Sequence, residues 1–60
     1  MKAKYYIVCS WAQSQFLSDN LNYKKIPFEL YVISWTKCRI EIPAGHLYNA
    51  RTICDGWKEV

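Results

Sequence analysis

"FELYVISWTKCRIEIP", residues 28–43, alternates two kinds of side chain without a break until Pro43. Its even positions are Phe28, Leu30, Val32, Ser34, Thr36, Cys38, Ile40 and Ile42, an apolar or small row. Its odd positions are Glu29, Tyr31, Ile33, Trp35, Lys37, Arg39 and Glu41. One parity held from end to end is the pattern of an extended chain with one face turned inward. The centre, "SWTK", lacks the Asn-Gly or Asp-Gly that a two-residue hairpin turn favours, so only a looser four-residue loop could reverse the chain there.

Length constrains the outcome. Fifteen residues at ~3.3 Å each would span about 50 Å, whereas a sixty-residue globule has a diameter near ~27 Å. A straight strand does not fit inside its own domain. Three solutions remain: a bend at a bulge near Ser34 to Lys37, a wide-looped hairpin, or one end projecting to pair with another chain. We rank them in that order, and the projection would favour a homodimer.

On the N-terminal side, Ala3, Tyr5, Ile7, Cys9 and Trp11 form an apolar row alternating with Lys2, Lys4, Tyr6, Val8 and Ser10, which predicts a strand. Ser10 and Gln13 have capping-box spacing. The helix they open would run to about Asn20 or Asn22, with Ala12, Phe16, Leu17 and Leu21 inward and Gln13, Ser14 and Gln15 outward. A turn at Ser18 to Asn20 between two short strands is the competing reading. Pro27 pushes Ile26 out of helical angles and opens the extended segment.

On the C-terminal side, Pro43, Ala44 and Gly45 end the run. Asp55-Gly56 signals a hairpin setting Cys54 against Trp57 and Ile53 against Lys58. A helix from about His46 to Asp55, stopped by Gly56, competes with it. We favour a helical turn for residues 44–50 and the hairpin after it. The fold class expected is α+β: residues 1–60 as a single small domain of strand, helix, long bent strand or wide hairpin, and C-terminal helical turn or hairpin.

Composition narrows the function. Hydrophobic residues are 52% of the sequence, and three Trp, five Tyr and two Phe make ten aromatics. Each aromatic buries ~150–250 Å² when enclosed, and a chain this small hides only ~60% of its unfolded surface. Some aromatics must remain exposed, either as contact residues or as a wet roof over the core edge. The three cysteines cannot all pair within one chain. The N-terminus reads as a strand, not a signal peptide, and no apolar run approaches the ~20 residues of a membrane span. A reducing cytoplasm, with the thiols as small hydrophobes, is expected.

Catalytic and metal chemistry are weakly signalled. His46 is the sole histidine, and across a helix His46 and Cys54 would stand ~12 Å apart along the axis, too far to hydrogen-bond. Cys9, Cys38, His46 and Cys54 are the right ligand types for zinc, but without the close pairs of structural sites. Asp19, Glu29, Glu41, Asp55 and Glu59 single out no acid–base pair. We therefore expect no enzyme, no cofactor and no metal.

Tyr31, Trp35, Lys37 and Arg39, on one parity, are the candidate partner-binding residues. Trp, Tyr and Arg are the usual hot-spot types of protein interfaces. The exposed edge of residues 28–42 could also bind by strand addition. A protein partner, inhibited or modulated by this chain, is the expected role, of a viral or mobile-element kind. The alternative is a nucleic-acid binder that stacks bases on the aromatics and adds contacts from Lys2, Lys4, Lys24 and Lys25. The net charge is only +3, and a solvated sheet face remains the plain third reading.

Overall fold

A computed structural model describes residues 4–60. Strand β1 (Lys4–Ser10) runs directly into helix α1 (Trp11–Tyr23), followed by strands β2 (Glu29–Val32) and β3 (Lys37–Pro43). A 3-10 turn, Ala44–His46, leads into helix α2 (Leu47–Arg51), and strand β4 (Lys58–Glu59) comes last. The strands form one antiparallel sheet in the order β2-β3-β1-β4. This is a small α+β domain, 31 × 25 × 17 Å in extent.

The long alternating segment is the wide hairpin and not a bent strand. Residues 33–36 form the loop, closed by the Ile33 and Ser34 amides donating to the Lys37 carbonyl at 3.1 and 3.2 Å. The Thr36 amide donates to Ser34 Oγ at 3.4 Å. No residue of this loop has positive φ, so the turn needs neither glycine nor asparagine. The pairing explains why the alternation runs through unbroken. Leu30 faces Ile40 and Val32 faces Cys38, so a residue of one parity always meets its own parity on the same face.

Helix α1 begins where capping chemistry places it. Ser10 is in extended conformation, and its hydroxyl accepts the Gln13 amide at 3.2 Å. At the other end the Ile26 amide donates to Leu21 O at 2.8 Å and the Lys25 amide to Asn22 O at 3.0 Å, the bond pair of a Schellman motif. Ile26 is thereby folded into the core. Lys25 occupies the left-handed position, at φ 60°, where a Cβ costs ~1–2 kcal/mol. Lys25→Gly should therefore stabilise the fold by about 1 kcal/mol. Urea unfolding checks this as a higher midpoint at unchanged slope.

The buried face of α1 differs from the expected one. Ser14, Leu17 and Leu21 point inward, while Ala12 and Phe16 are exposed. Ser14 can be buried because its hydroxyl donates to Trp11 O at 2.7 Å within the helix. The small side chain then permits close approach to the sheet.

The C-terminal hairpin does not form. The amides of Ile53 and Cys54 both donate to Ala50 O, so these residues form a turn that follows α2, in keeping with the helical turn expected before them. β4 pairs instead with β1, Tyr5 opposite Glu59 and Tyr6 opposite Lys58. Trp57 decides the matter: it is buried in the core, and its indole N–H donates to Ala50 O at 3.2 Å. Burying that ring outweighs the local turn preference of Asp55-Gly56.

Ile7, Cys9, Cys38, Ile40 and Ile42 form the inner face of the sheet and pack with Leu17, Leu21, Ile26, Ala50 and Trp57. Lys4, Tyr6, Val8, Lys37, Arg39 and Glu41 alternate with them on the outer face. β2 extends beyond this cover, and all four of its residues are exposed.

Candidate functional site

The four candidate contact residues do not form one surface. Tyr31 and Arg39 are opposite one another on the outer face, and Lys37 shares that parity. Trp35 lies in the hairpin loop and lines a groove with Trp11, Val32 and Ser34. The shared parity of a continuous strand put the four together. The loop separates them.

On the outer face Lys4, Arg39, Glu29 and Glu41 are already engaged with one another. Lys4 Nζ donates to Glu29 at 2.9 Å and lies 3.8 Å from Glu41. Arg39 Nε donates to Glu41 at 2.9 Å, and the guanidinium sits 4.1 Å from the centre of the Tyr6 ring. The Tyr31 hydroxyl donates to Glu29 at 3.1 Å. Glu29 and Glu41 thus lie among the candidate cations as well as bracketing them in sequence. Lys24 is the C-cap of α1 and Lys25 follows it, both exposed, and neither is paired with the carboxylates of this face, while Lys2 lies outside the described residues.

These contacts perturb titration in definite directions. The hydrogen bond from Lys4, then that from Tyr31 and the Lys4 charge, hold the Glu29 carboxyl below its usual range. The same bond to Glu29 raises Lys4. The Glu29 contribution to stability is therefore present above the ordinary carboxylate pKa and is lost as pH falls through the depressed one. Solvent screening keeps it small. Lys4→Met should move the Glu29 titration upward, as followed by side-chain carboxyl NMR; an unchanged curve would show that the pair does not persist in solution.

The helix side is different in kind. Trp35 is 96% exposed, Val32 66% and Trp11 44%, all around one open groove of about 420 Å³. A second hollow, of about 340 Å³, continues from Trp11 along α1 to Leu30. Leu30 and Val32 have inward parity, yet α1 does not cover them. Trp11, counted with the apolar row of the first strand in the sequence pattern, instead occupies the first turn of α1. The helix buries only Ser14, Leu17 and Leu21, which roof the central strands, and the sequence pattern, with Ala12 and Phe16 read as inward, did not signal it.

The thiols belong to the core. Cys9 and Cys38 are opposite one another in β1 and β3 and buried, Cys54 is half-buried, and all three are free. Burial first, then the neighbouring Cys38 and Cys54, pushes the Cys9 thiol up, away from the thiolate form a nucleophile requires. Among the described residues no three His, Cys, Asp or Glu side chains group closely enough to hold a metal ion. Nor is any helix among them long and apolar enough to cross a membrane. Comparison with protein-family models, curated proteins and solved structures gave no match.

Proposed function

We propose that the chain is a non-catalytic protein-binding module that inhibits or modulates the protein it holds. The observation that carries this reading is the groove of Trp11, Val32 and Trp35. It is an apolar concavity walled by two tryptophans, the residue type most enriched at interface hot spots. Trp35 is the principal anchor. The three free thiols fit a reducing, cytoplasmic setting, and self-association is part of the same proposal.

Tyr31, Lys37 and Arg39 contribute at most a rim. Nucleic acid is the weaker reading, because Lys4 and Arg39 are engaged by Glu29 and Glu41, which lowers their value as phosphate contacts. The test is affinity capture from host extract with immobilised chain and its Trp35→Ala variant, with and without nuclease. Proteins retained by the parent alone, nuclease-resistant, support the reading. Retention that depends on nucleic acid and falls steeply with salt transfers the function to the alternative.

A further inference from the structure

We propose that the free edge of β2 pairs antiparallel with β2 of a second copy of this chain, merging two four-stranded sheets into one. The proposal rests on the protein-binding reading of this side of the molecule and names one occupant of it. The Ile33 amide donates to Lys37 O, which makes 33/37 a bonded pair of the β2–β3 ladder. Bonded and non-bonded pairs alternate along antiparallel strands. Glu29 and Tyr31 are therefore bonded to Glu41 and Arg39, and the N–H and C=O groups of Leu30 and Val32 point to the open edge.

Among the described residues the β2 edge is guarded only by the charge of Glu29. β2 reads Glu-Leu-Tyr-Val, without the lysine or proline that commonly guards an edge strand. The opposite edge of the sheet is β4, only two residues long. One side of the sheet is thus protected by brevity and the other left open.

Self-complementarity selects the occupant. A two-fold axis at Tyr31 sets Leu30 against Val32 of the second copy and Tyr31 against its own counterpart. The free backbone groups of both leucines and both valines are then all bonded. The only charge on β2 is Glu29, held by Lys4 at 2.9 Å. It falls opposite Ile33 in this register, so no like charges meet. On the helix side Leu30 and Val32 continue the apolar row across the junction. Leu30, Tyr31, Val32 and Ile33, exposed between 44% and 66%, are the apolar side chains the pairing covers. The contact is isologous and closes at two copies.

Sedimentation of the purified chain over a concentration series tests this, together with amide hydrogen exchange. The expected mass rises from 7.1 kDa to twice that value. Leu30 and Val32 amides become protected as dimer forms, while the Tyr31 amide, bonded within the monomer, is protected throughout. Val32→Lys, at an exposed position, should hold the chain monomeric with its circular dichroism and Tyr31 protection unchanged. A monomer at every concentration, an open polymer, or Leu30 and Val32 amides that never gain protection overturns the pairing. A parent chain that stays monomeric at every concentration yet captures a protein through Trp35 refutes only the self-pairing.

Discussion

Replacing Ile40 with alanine is expected to unfold the domain or bring it to the edge of unfolding. Ile40 is fully buried at the centre of β3, opposite Ile7 on one side and Leu30 on the other. Truncating a buried isoleucine to alanine costs ~2–5 kcal/mol, transfer and cavity together. At ~0.05–0.15 kcal/mol per residue a chain this short has about 3–9 kcal/mol in total, so the loss is a large share of the whole. In a small domain each kcal/mol moves the melting temperature by ~4–8 °C, which predicts a fall of about 10 °C or more by circular dichroism. Val32→Ala is the matched control, because its exposed side chain limits the effect to about 0.5 kcal/mol. Equal effects at the two positions would contradict the division into a covered inner face and an uncovered edge.

Trp35→Ala has the opposite signature. With the ring almost wholly in solvent, the variant should melt within about 0.5 kcal/mol of the parent. Partner capture should nevertheless fall by ~30-fold, equivalent to the ~2 kcal/mol of a hot-spot tryptophan. The separation of the two readouts is the point: a stability loss would identify Trp35 as a core residue, and undiminished capture would remove it as an anchor. Captured partner is quantified by mass spectrometry, and the affinity ratio by titration with the partner so identified.

The elements differ in how far they were legible from local chemistry. The Ser10 cap and the alternation of Tyr5, Ile7 and Cys9 placed β1 and the start of α1 without reference to anything distant. Tyr31 and Arg39 were rightly expected on one parity of the outer face, but it is the hairpin that sets them side by side. Trp35 was misplaced because residues paired across the loop differ by an even number, Leu30 with Ile40 and Val32 with Cys38, so the turn preserves parity while changing direction. The groove was not legible at all, since Trp11 and Val32 are far apart in sequence and are brought together by the β1–α1 junction and the hairpin.

Sequence alone determined the α+β class, the inward row of Cys38, Ile40 and Ile42, and the helix starting at Ser10, because side-chain period and capping are short-range properties. It also determined that a fifteen-residue strand could not stay straight, by length against domain size. Only the tertiary structure decided that residues 33–36 turn, that β4 joins β1 and not its sequence neighbour, and that β2 is left uncovered. Those outcomes depend on which surfaces bury most apolar area at once: Trp57 reaches the core only if the tail crosses to β1, and α1 is too narrow to roof β2 as well as the two central strands.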